Sequence, residues 1–179
     1  MLLPMSIASG DKPSDGAILE RSKRLCNGLM YTIEIQVRRI KSSEPEDDRF
    51  PLRQWMDFQF LIVALSRLRR TTRLADKVPF VKAQIESAIN EFDQALPFLK
   101  KMRDVAEHID DYAVDTVPKR GHQEVSRKDL EVGQTDFTNF SWLGYTVNID
   151  DTVGVAQNLF EHLRSAVRTY AESNPASGA

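Results

Sequence analysis

At 179 residues, with 24 basic against 26 acidic side chains and a formal net charge of −2, the chain has the length of one domain that buries about two thirds of the surface its unfolded form exposes. That balance excludes the broad positive field of a protein that coats DNA, so any nucleic-acid contact has to be local. A single cysteine, Cys26, excludes a disulfide framework and a cysteine-built zinc site; it reads as a buried thiol in a reducing, cytoplasmic setting.

The opening Met1-Leu2-Leu3-Pro4-Met5-Ser6-Ile7-Ala8 has no basic n-region and too short an apolar run for a signal peptide. No later stretch has the length of a membrane span, and no membrane contact is expected. Residues 1–13 and 173–179, rich in Ser, Gly, Pro and Ala, are expected to be tails without fixed structure, leaving 14–172 as a single helical-bundle domain.

The first helix is predicted over 14–41, with Ile18, Leu25, Leu29, Ile33, Val37 and Ile40 recurring along one face. A second, over 51–76, carries Trp55, Phe58, Leu61, Leu65 and Leu68 on its stripe. Phe60, Ile62 and Val63 make its middle apolar nearly all round, which predicts a central place in the bundle. Its far end turns basic with Arg67, Arg69, Arg70 and Arg73, as the helix macrodipole favours. This cluster is the candidate site for RNA backbone or an acidic partner.

In the third segment Val81, Ile85, Ala88, Phe92, Ala95, Leu99, Met102, Ala106, Ile109 and Ala113 keep a helical phase. Pro97 predicts a kink or break at 95–97, because proline removes a ladder hydrogen bond and clashes one turn back. After a loop at 117–122, the alternation of Leu143, Tyr145, Val147 and Ile149 signals a strand, with Leu130-Glu131-Val132 as its expected partner. A last helix follows, capped by Asp150 or Asp151. The predicted architecture is mainly α, a four- to five-helix bundle with a small antiparallel β-hairpin inserted at about 129–149.

Chemistry concentrates in Arg103-Asp104-Val105-Ala106-Glu107-His108 and the following Asp110 and Asp111. With Leu99, Met102, Ala106 and Ile109 toward the core, Arg103 flanks the stripe while Asp104, Glu107 and His108 project away from it. A histidine can move a proton near neutral pH. An arginine offers a planar, permanently charged fork for phosphate, and a carboxylate one turn from the histidine can orient its ring.

This Arg103-Asp104-x-x-x-His108 pattern in a helical bundle resembles the signature of HEPN-domain proteins, an arginine, a polar residue and then a histidine a few positions on. The resemblance covers the motif and the helical fold. It implies a metal-independent endoribonuclease, or an RNA- or nucleotide-binding protein, with Arg103, Asp104 and His108 as catalytic residues and no cofactor. It also implies a homodimer whose joint cleft attacks a phosphodiester through the neighbouring 2′-hydroxyl, in some members as a toxin held by a cognate antitoxin or as a phage-defence factor.

The same residues also read as a solvated helix face, in which Arg103 pairs with Glu107 one turn away and Glu107, Asp110 and Asp111 make the surroundings acidic to an RNA backbone. On that reading the chain is a non-enzymatic helical-bundle interaction protein. Asp104, Glu107, His108 and Asp111 have the chemistry of divalent-ion ligands, but the Glu-x-x-His spacing of di-iron bundles is absent and no metal is expected. His122 and His162 read as surface residues, and Phe137, Phe140 and Trp142 as packing of the hairpin rather than base-stacking groups.

Overall fold

Ser14 opens the first helix by accepting a hydrogen bond from the Ala17 N–H at 3.2 Å, which satisfies one of the donors a helix N-terminus leaves bare. In the computed structural model, residues 12–113 and 125–175 are described, apart from 46, 50, 51, 126, 132 and 135. Of the expected tails, 1–11 and 176–179 lie outside the described residues, as does the loop carrying His122, while Ser173 belongs to the last helix.

Helix α1, Asp15–Lys41, packs antiparallel against α2, Arg53–Thr72. Ser22 Oγ donates to the Thr71 carbonyl at 2.9 Å near one end, and Arg39 Nε donates to Asp57 at 2.9 Å near the other. Between the helices Arg53, only 6 % exposed, is clasped by Asp47 and Asp57 and donates to the Arg39 and Ser42 carbonyls at 2.6 and 2.8 Å. Its charge is buried with carboxylate and carbonyl partners, which such burial requires. The Arg53 guanidinium holds the Asp47 carboxyl down to about 2.

A 3₁₀ turn, Arg73–Lys77, leads to α3, Lys82–Ala95. The predicted break at Pro97 is present: α3 closes at Leu96, and α4, Leu99–Glu107, begins after the proline that has no N–H to continue the ladder. The phase beyond it is not the predicted one. His108, at φ −127° and ψ 37°, ends α4, and α5, Ile109–Ala113, is a single turn. Met102, Val105 and Tyr112 are buried, while Ile109, expected in the core, is 48 % exposed.

The antiparallel hairpin before the last helix is formed by β2, Asn139–Trp142, and β3, Tyr145–Asn148, with the short β1, Gly133–Gln134, on the outer side of β2. The strand's partner is therefore 139–142; of the expected partner 130–132, Leu130 closes a 3₁₀ turn instead and Val132 lies outside the described residues. Leu143 and Gly144, at φ 55° and 81°, supply the two-residue turn, both in the left-handed region that a tight hairpin needs. Phe140 stacks on Phe58 with centroids 4.7 Å apart, and Trp142 meets Trp55 edge-on at 4.9 Å, so the hairpin packs onto α2 as expected. Phe137 remains 54 % exposed.

Helix α6, Ile149–Ser173, is capped by Asn148, whose side chain accepts from the Asp151 N–H at 3.0 Å; Asp150 and Asp151 fill its first turn. It packs on α1 and α3 through Ala156, Leu159, Leu163 and Ala166. Helix α2 contacts α1, α3, α4 and α6, although Phe60 in its apolar middle is 61 % exposed; Leu25, placed on the core face of α1, is 45 % exposed. Among the described residues no helix is long and apolar enough to cross a membrane.

Candidate functional site

The interruption at Pro97 sets α4 beside the C-terminal half of α2. Between these helices and the end of α3 runs a groove of about 450 Å³. Its floor is apolar, from Leu96, Pro97 and Leu99. Four cationic side chains line it, Arg69 and Arg70 from α2 with Lys100 and Arg103 from α4, against one carboxylate, Asp93 of α3. Two of the four arginines in the α2 cluster therefore share a groove with the arginine of the α4 motif. Arg67 and Arg73 are outside it, Arg67 exposed on another side of α2 and Arg73 paired with Asp76 at 3.4 Å.

The cations fall into two kinds. Arg69 grips both oxygens of Asp93, an exchange that raises the guanidinium's pKa and fastens α2 to α3. Arg103 donates to Glu107 at 2.8 Å and lies in an ion pair with Asp104 at 2.7 Å. Arg70 and Lys100 have no carboxylate partner among the described residues. The groove thus holds two oriented guanidiniums and two cations open to an anion.

The motif residues are brought together only in part. Asp104 and Arg103 are in contact, and the His108 N–H donates to the Asp104 carbonyl at 3.1 Å in the last turn of α4. The exposed His108 side chain stands at the helix break and is not among the groove-lining residues. The Arg103–Glu107 pair, expected from one-turn spacing, is present. His162, exposed, has Nε2 3.9 Å from Glu91. Cys26 is buried, and burial pushes its thiol pKa up.

Lys100, Asp93 and the Leu96–Pro97 floor were not marked by sequence reasoning. One signal was available for Lys100: three residues before Arg103, it shares that edge of α4. Asp93 is visible only through its partner across the helix pair. Among the described residues no group of three or more His, Cys, Asp and Glu side chains is arranged to hold a metal ion.

Compared with models of known protein families, with curated proteins and with solved structures, the chain matches none.

Proposed function

We propose that this protein binds single-stranded RNA and cleaves it without a metal ion, as a HEPN-like endoribonuclease. The observation that carries the reading is the meeting of Arg103 with Arg69, Arg70 and Lys100 over an apolar floor. Arg70 and Lys100 take phosphate oxygens, and the Leu96–Pro97 floor accepts the face of a base or sugar. Arg103 leaves its intrachain carboxylates to neutralise the scissile phosphate as charge develops on it. His108 takes the proton of the 2′-hydroxyl, whose oxygen attacks phosphorus as the bond to the 5′-oxygen of the next nucleotide breaks; that oxygen leaves as a hydroxyl, taking its proton from water. A second copy supplies another Arg103 and His108, which brings an imidazole to the groove that one copy's own His108 does not line. A role as toxin or defence nuclease with a cognate antitoxin belongs to the same reading.

A second reading, RNA or nucleotide binding without cleavage, is favoured by the two carboxylates on Arg103 and the position of His108 outside the groove. Incubating wild type, Arg103→Ala and His108→Ala with single-stranded RNA in EDTA separates the two. Cleavage yields 2′,3′-cyclic phosphate and 5′-hydroxyl ends with wild type alone. Binding by all three proteins with no products supports the second reading, and equal cleavage by wild type and His108→Ala overturns the first.

A further inference from the structure

We propose that the outer face of the α1–α2 pair, away from the groove, docks an acidic amphipathic helix of a partner protein. The contacts of Ser22 with Thr71 and of Arg39 with Asp57 fix how the antiparallel helices lie, so that Phe60 is roughly level with Ile35 and Arg67 with Gly28. Along this seam Leu25, Ile35, Met56 and Phe60 are 45, 48, 46 and 61 % exposed. Leu52 continues the stripe at one-turn spacing before Met56 and Phe60, as a helix laid alongside requires.

Gly28 lies in the middle of the α1 edge of the seam, spaced in helical steps between Leu25, Thr32 and Ile35. A glycine inside a helix weakens it, and a close backbone approach is one reason to keep it. No intrachain neighbour supplies that reason, because a Cβ built on Gly28 meets no atom within 4 Å. The bare backbone is instead open to an approaching helix.

Charge selects the occupant. Arg21, Arg24 and Arg67 stand exposed around the seam with no carboxylate partner among the described residues, whereas Arg39, Arg53, Arg69 and Arg103 are all paired. A second copy seated on the same face would set arginine against arginine. RNA would satisfy the arginines but leave Leu25, Ile35 and Met56 without apolar partners. A helix with an apolar stripe flanked by Glu and Asp satisfies both.

The test uses the full chain and a fluorescein-labelled synthetic helix bearing a leucine stripe flanked by glutamates, with a scrambled isomer of the same composition as control. The amphipathic helix is expected to bind, less tightly as salt rises, and to shift NMR signals on α1 and α2 at the seam. The exposed-site variant Ile35→Ser/Phe60→Ser and the plugging variant Gly28→Trp should each lose at least about tenfold in affinity, with unchanged thermal midpoints. Equal binding of the scrambled isomer, unchanged affinity in both variants, tighter engagement of the seam by oligouridylate or by phosphatidylserine vesicles, or self-association broken by Phe60→Ser would each overturn the proposal.

Discussion

Arg103 and Glu107 are joined at 2.8 Å along one edge of α4, with Asp104 on the same guanidinium at 2.7 Å. A phosphate entering the groove has to compete with both carboxylates for Arg103. Glu107→Gln weakens the competitor without altering its shape. Affinity for single-stranded RNA is predicted to rise a few-fold in low-salt anisotropy titrations, while stability falls by only about 0.3–0.5 kcal/mol, since the pair is an exposed one-turn pair. Unchanged or weaker binding would mean that Glu107 does not compete for Arg103.

The clasp of Arg53 by Asp57 carries a different prediction. Both side chains are nearly buried, and Asp57 also receives Arg39. Asp57→Ala leaves part of the Arg53 charge without its partner and should cost about 3 kcal/mol in urea unfolding. Asp57→Asn, which keeps an acceptor, should cost less. Equal losses for the two variants would assign the effect to packing.

Asp47 gives the same cluster a pH dependence. Its folded pKa, about 2, lies below the ordinary carboxylate value, so its ion pair contributes stability that is complete above the unfolded value and is lost as pH falls toward the folded one. Asp136, lowered by bonds from Asn139 and Thr138, acts in the same sense. Asp76, raised by burial, acts in the opposite sense. The urea midpoint is predicted to drop on acidification from about pH 4 to pH 2, and Asp47→Asn should flatten that drop.

Phe140 fastens the hairpin. It is fully buried and stacked on Phe58 with the rings 4° from parallel. Phe140→Ala is expected to cost about 3–5 kcal/mol. Because the Trp142–Trp55 contact is then the remaining aromatic contact between the hairpin and α2, amide exchange in the hairpin should accelerate before that of α1 or α6. Uniform acceleration across the chain would show that the hairpin does not open on its own.

The long helices were legible because their apolar steps are sustained and their ends carry caps or proline: Ser14 opens α1, and Pro97 separates α3 from α4. The break at His108 was not, since Met102, Ala106, Ile109 and Ala113 keep perfect phase across it. Burial of Val105 and Tyr112 takes the core position that Ile109 would have held. In the hairpin, the alternation of Leu143, Tyr145 and Val147 ran through a turn, and a leucine with positive φ is rare enough to mislead. The arginines at 69, 70 and 103 stand out in the sequence, yet their common groove arises only where two helices meet, which no spacing along one helix reveals.

If the groove holds RNA phosphate, Arg70 and Lys100 set the salt dependence of single-stranded RNA binding. Each phosphate contact contributes about 0.7 to the slope of log K against log salt, so Arg70→Ala/Lys100→Ala should flatten that slope by about 1.4. Affinity at low salt should fall with it, and the thermal midpoint should hold. A slope and affinity equal to those of wild type would mean that Arg70 and Lys100 do not hold phosphate.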